Sequence, residues 1–156
     1  MGRPREHGAG RRDELLDAAE QLIAEGGPDA LSVRAAADAV GTTTRAVYSV
    51  FGSKDGLLAA LAERVFDLLA DKLEGVPETD DPAHDLIDAA TRVFRAMAID
   101  NPAAYRITFL RIVPELDLGA ATRESADHAM GLLRRRFERL ADAGRLDGRT
   151  AAEATG

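Results

Sequence analysis

Gly41-Thr42, a tight turn between two short apolar-patterned segments, restricts what this chain can fold into more than any other feature. In Leu31–Leu57, LSVRAAADAVGTTTRAVYSVFGSKDGL, apolar residues recur at helical intervals on both sides of it. Ser32 is placed to cap a helix over about Val33–Val40. Gly41 can follow its last turn because glycine tolerates positive φ. Thr42 or Thr43 then caps a helix to about Val50, with Ala46, Val47 and Val50 inward and Thr44, Arg45 and Tyr48 outward. Phe51-Gly52 closes that helix, and Phe51 and Leu57 belong to the core. A short helix whose outer face is polar and uncharged to basic has the composition of one that enters a major groove.

The same start and stop signals recur along the chain. Residues 1–10 hold three Gly and one Pro without periodicity and read as a flexible basic arm. Arg11–Glu25 carries a helical apolar face of Leu15, Ala19, Leu22 and Ile23, and Gly26-Gly27-Pro28 ends it. Ser53 caps a long fourth helix to about Glu74, stopped by Gly75 and Pro77 and followed by an acidic linker, Glu78–Asp85. Asp81-Pro82 starts a fifth helix with a stripe of Leu86, Ala90, Val93, Phe94 and Met97. Asn101-Pro102 starts a sixth, which Pro114 ends. A seventh spans about Ala120–Ala143, with Met130, Leu133, Phe137 and Leu140 inward, Arg134, Arg135, Arg136 and Arg139 mostly solvated, and Gly144 as its stop. Thr150-Ala-Ala-Glu153 fits the capping box of one more helix. No strand alternation or repeat appears, so the fold class is all-α.

Composition narrows the function. Without cysteine there is no disulfide framework and no thiolate metal site, which fits a cytoplasmic protein. No run of about 18 apolar residues exists to span a membrane. The net charge of −7 is the wrong sign for a protein that merely coats nucleic acid. The charge is uneven, however. Arg3, Arg5, Arg11 and Arg12 cluster at the start, and Arg34, Arg45 and Lys54 face a single Asp38 between Leu31 and Lys54. An acidic body with a locally basic face suits selective DNA binding. His7, His84 and His128 lack ligand spacing, and no nucleophile or phosphate loop is present, so neither a metal, a cofactor nor an enzymatic activity is expected.

At Ser32–Leu57 the sequence resembles the TetR family of bacterial transcriptional regulators. The matching residues are Ser32-Val33-Arg34, Ala37, Gly41 and the series Tyr48, Phe51, Lys54, Leu57. A weaker match, Asn101-Pro-Ala-Ala-Tyr105-Arg106, looks like a segment of the family's ligand-binding domain. The resemblance implies a three-helix DNA-binding domain over 11–56. It also implies a helical effector-binding and dimerisation domain over 57–156 that lacks the final helices after helix 7. Arg45 stands where the family often has a small residue or proline.

The resemblance puts Ser32, Val33, Arg34, Thr42, Thr43, Thr44, Arg45, Tyr48 and Lys54 at DNA. Thr43 and Thr44 suit phosphate oxygens or a thymine methyl, and Arg45 can address guanine O6 and N7. Tyr48 and Lys54 suit phosphate, which sets register rather than sequence. The family also implies an apolar cavity among helices 4 to 7, for which Phe66, Phe94, Met97, Tyr105 and Phe109 are candidates. The expected function is a repressor, working as a homodimer on a double-stranded operator and released by a small apolar effector. The rival reading is an all-α small-molecule-binding or structural protein that keeps the helix-turn-helix as scaffold. Acid or bulk would then replace the groove-facing residues, and Thr43, Thr44, Arg45 and Tyr48 argue against that.

Overall fold

The computed structural model describes the backbone of residues 5–103, 105 and 119–146, with side chains from Gly10 onward in those ranges. All regular structure among them is helical. Helix α1 is Arg5–Gly26, followed by a single 3-10 turn, Pro28–Ala30. Helices α2 (Val33–Ala39), α3 (Thr44–Phe51) and α4 (Lys54–Glu74) come next. Then α5 (Pro82–Ala89) passes through a π turn, Ala90–Phe94, into α6 (Arg95–Asp100). Asn101 leaves the helical region, with φ −132° and ψ 58°, and Pro102, Ala103 and Tyr105 are helical again. Helix α7 is Ala120–Asp142. The chain forms two compact units, residues 1–62 with 102–119 and residues 63–101 with 120–156.

In the first unit α1 buries Leu15, Leu16, Ala19 and Ile23, which share one face at helical spacing. They pack with Leu31, Val33, Ala36, Ala37, Val47, Leu57, Leu58, Leu61 and Ala103 in one cluster. Full burial of each leucine contributes roughly 1.5–3 kcal/mol. The first turns of α4 are thus part of this core, which is why the division between units falls inside α4 and not at its start.

Two local expectations need correction here. The helix begins at Arg5, so Arg5–Gly10 is not a flexible arm. Once a turn exists, each added residue gains a backbone hydrogen bond, which opposes the cost of the glycines in this stretch. Arg11 pairs with Glu14 at 3.7 Å within that helix, while Arg3 lies outside the described residues. Val50, expected inward, is 38% exposed. With Val47 at the centre of the buried face, Phe51 and Val50 flank it at about 40° and 60°, and the core reaches only as far as Phe51.

In the second unit the seventh helix matches its expected span, but its arginines do not behave as a solvated row. Arg136 is 4% exposed and donates from Nη2 to the carbonyls of Leu73 (2.7 Å) and Val76 (2.9 Å). It therefore joins the Val76 N–H, 3.1 Å away, on the Leu73 carbonyl and adds a donor to that of Val76 just past the end of α4. Arg139 donates to Asp85 Oδ2 at 2.7 Å and to the carbonyl of Thr79. The acidic stretch Glu78–Asp85 is correspondingly not a free linker. Asp81 caps α5 through the N–H groups of Ala83 and His84, and Arg145 reaches Asp81 at 3.2 Å. Arg134 and Arg135 are exposed, as expected. The sixth helix beyond Tyr105, Pro114 and the Thr150–Glu153 capping box lie outside the described residues.

Candidate nucleic-acid interface

Each helix of the candidate interface begins with a hydroxyl cap. Ser32 Oγ accepts from Ala35 N–H at 3.0 Å, Thr43 Oγ1 from Ala46 N–H at 3.2 Å, and Ser53 Oγ from Gly56 N–H at 2.9 Å. An accepting hydroxyl keeps its own hydrogen for donation, so these groups hold their helices and still present a donor outward. Thr43, not Thr42, caps α3.

The turn between α2 and α3 is closed by two backbone bonds, Thr42 N–H to Ala37 O at 2.9 Å and Gly41 N–H to Asp38 O at 3.2 Å. That paired closure puts Gly41 at φ 65°, a conformation that a Cβ would oppose. The turn therefore fixes how α3 leaves α2. On α3, Thr44, Arg45, Tyr48 and Ser49 are exposed, Tyr48 at 53%. Arg45 and Ser49 are one turn apart and bracket the direction opposite Val47. Sequence reading passed over Ser49; its only signal is the four-residue spacing from Arg45.

Arg45 and Lys54 are exposed and make no ion pair among the described residues. Arg34 is exposed and touches Asp38 only at 3.9 Å, a surface pair of small energy. Lys54 shares the first turn of α4 with Asp55, which offsets the lysine's conflict with the helix dipole. Val33 differs from its expected role. Its side chain is buried in the core, so only its backbone N–H can face a partner. An open depression lined by Glu14, Asp17, Ala18, Gln21 and Val40 carries two carboxylates and suits no phosphate.

Of the pocket candidates, Phe66 and Met97 are buried and Phe94 is half-buried, all in the second unit. Tyr105 is half-buried in the first unit, and Phe109 lies outside the described residues. Sequence reasoning missed the polar centre of the second unit. Asp85 is 1% exposed; its Oδ1 accepts from the Thr79 hydroxyl at 2.7 Å and its Oδ2 from Thr79 N–H at 2.8 Å and from Arg139. The Thr79 hydroxyl bond, then Arg139 and the Thr79 N–H, hold this carboxyl down from 3.8 to about 2 against the opposing effect of burial. The Asp85 bond raises Arg139 in turn. No group of acidic or histidine side chains among the described residues could hold a metal ion, and no described helix is long and apolar enough to cross a membrane.

The first unit thus defines a helix-turn-helix domain of the DNA-binding class, followed by an all-helical second unit. Residues 15–61 match the profile of the bacterial regulatory proteins of the tetR family. Over these residues the chain carries an N-terminal domain of the tetR type. It is 28% identical to the TetR family transcriptional regulator PfmR from Thermus thermophilus, over 90% of this chain and 78% of that one, with a TM-score of 0.64. It shares the fold of the fatty acid degradation regulator FadR from Bacillus halodurans, at 22% identity, 99% and 78% coverage and a TM-score of 0.72. It also shares the fold of RolR in complex with resorcinol, at 20% identity, 96% and 73% coverage and a TM-score of 0.65. Among curated proteins compared by sequence, none matches.

Proposed function

We propose that the protein is a transcriptional repressor that reads a double-stranded operator with α3 and leaves it when a small apolar effector binds the second unit. The observation that carries this reading is Arg45, exposed on the outer face of α3 and unpaired among the described residues. Thr43, Thr44, Tyr48 and Ser49 surround it with short polar groups and one phenol. Arg45 would address guanine bidentately, at about 1–3 kcal/mol of discrimination. Ser32, Arg34, Thr42, Thr43, Tyr48 and Lys54 would fix the register through phosphate, together with the N–H of Val33. None of these positions carries acid, which counts against a helix-turn-helix kept only as scaffold.

Phe66, Phe94 and Met97 of the second unit are the proposed apolar lining for an effector. The resorcinol complex of RolR supports a small-molecule effector by likeness of fold. Binding would act through α4, whose first turn carries Lys54, and would change the spacing of two recognition helices in a cytoplasmic homodimer. An effector can do so only by binding the two states with different affinity. We read no catalytic role in the chain.

The test is operator binding against salt, using DNA that flanks the gene, with parent, Arg45→Ala and Lys54→Ala proteins. Arg45→Ala should lose affinity by about tenfold or more and relax preference at one base pair. Lys54→Ala should weaken binding on all sequences and lower the salt slope by about one. Parent-like affinity in both variants sinks the contact assignment.

A further inference from the structure

The run Pro82–Asp100 contains a conflict between its apolar pattern and its polar anchor. The residues it turns inward are Asp85, Ala89, Val93 and Met97, each no more than 2% exposed. They follow one another in steps of four. An α-helix advances about 100° per residue, so three such steps drift by roughly 120° and leave a single buried face. The π turn absorbs that drift. There the N–H of Arg95 bonds the carbonyl of Ala90, five residues back, so one extra residue is accommodated in the turn.

Without the extra residue, and with Val93 and Met97 held in place, the inward set becomes Leu86, Ala90, Val93 and Met97. That is the regular α pattern written in the sequence. No exchange in it loses apolar burial, and two gain it. Leu86 would replace a carboxylate. Ala90, now exposed, would replace Ala89. Ile87, now 64% exposed, would turn from about 200° off the buried direction to about 100°. Among the described residues, the buried contacts that oppose the slip are the bonds of Asp85 to Thr79 and Arg139; the Arg145–Asp81 pair at the start of α5 is exposed and weak.

We infer that Pro82–Asp100 is a two-register switch, in which the Asp85–Thr79–Arg139 contacts hold α5 one residue out of its apolar register and so maintain the π turn. Opposed local and tertiary preferences in one element make it bistable. Phe94 lies within the turn and Met97 beyond it, while α5 rotates against both when the register changes. Any ligand that touches both sides of the turn binds the two registers differently and selects one. The inference does not depend on DNA binding.

The test is NMR on the full chain. In the parent, a scalar coupling across the hydrogen bond connects the Arg95 amide to the Ala90 carbonyl, and the Ile87 δ1 methyl is strongly relaxed by a soluble paramagnetic agent. In Asp85→Ala the coupling should move to the Thr91 carbonyl. The relaxation of Ile87 should fall roughly twofold, as for a side chain turned from opposite to beside the buried face. Adding Ala90→Lys puts a charge at a position that is inward only in the α register, so the double variant should regain the parent coupling. Retention of the Arg95–Ala90 coupling and of Ile87 exposure in Asp85→Ala overturns the switch. If that variant fails to fold, deletion of Thr91 from the parent tests the same geometry. Removing the extra residue should leave Asp85, Ala89, Val93 and Met97 on one regular α face, with the Asp85 contacts intact. Unfolding, or exposure of Met97, in the deletion variant overturns the register argument.

Discussion

Gly56→Ala should destabilise the protein although it replaces glycine by alanine inside a helix. Gly56 lies in the first turn of α4, and its N–H bonds Ser53 Oγ at 2.9 Å. A Cβ at this position would fall on the carbonyl oxygen of Phe51 and 3.1 Å from its carbonyl carbon. Phe51 ends α3, and the obstacle is backbone, so no side chain can swing aside. Clearing it demands a shift on the order of an ångström between the end of α3 and the start of α4, and overpacking of this kind costs roughly 1–3 kcal/mol. A backbone clash belongs at the upper end of that range. Alanine returns at most about 1 kcal/mol of helix propensity. The net loss is about 2 kcal/mol, or roughly 4–8 °C in melting temperature for a chain of this size. Gly131→Ala is the control, because a Cβ there meets nothing within 4 Å in the middle of α7. It should stabilise by about 0.5–1 kcal/mol. Thermal and urea melts by circular dichroism of both variants decide the matter. If Gly56→Ala melts at or above the parent, the close approach of α3 and α4 is not as described.

Three further outcomes follow from particular contacts. Folding lowers the Asp85 carboxyl from 3.8 to about 2, so its contribution to stability is fully present above pH 3.8 and disappears as pH falls through about 2. Urea titrations between pH 5 and 2 should therefore show a steeper acid loss in the parent than in Asp85→Asn; equal slopes refute the assignment. Thr43→Ala removes the hydroxyl that accepts from Ala46 N–H and should cost about 1 kcal/mol in a urea melt, whereas Thr42→Ala should cost much less. Arg136→Ala leaves the Leu73 and Val76 carbonyls without their guanidinium and should cost at least about 2 kcal/mol. Hydrogen exchange should then rise at the end of α4, and unchanged exchange there would contradict the capping role.

Much of the candidate interface was legible in the sequence because its signals are local. Ser32 and Thr43 cap helices through N–H groups three residues away, and Gly41 closes a turn with atoms no more than five residues distant. The outward direction of Arg45 and Tyr48 follows from helical spacing around Val47. Where local reading failed on α3, at Val50, the reason was the limited reach of the core behind a two-turn helix.

What the chain order alone determined is the series of helices, their starts and stops, and the hydroxyl-capped turn that presents α3. Each follows from backbone geometry within a few residues. What only the tertiary structure decided is the interior of the second unit. Arg139 meets Asp85 across 54 positions, and Arg136 meets the carbonyls of Leu73 and Val76 across 63 and 60. No periodicity marks an arginine for burial when its partners are backbone carbonyls brought by another helix. The same long-range contacts set the register of α5. The sequence writes Leu86 and Ala90 into an apolar stripe, and the folded chain turns Asp85 and Ala89 inward instead, because a carboxylate with three donors outweighs one residue's worth of helical regularity.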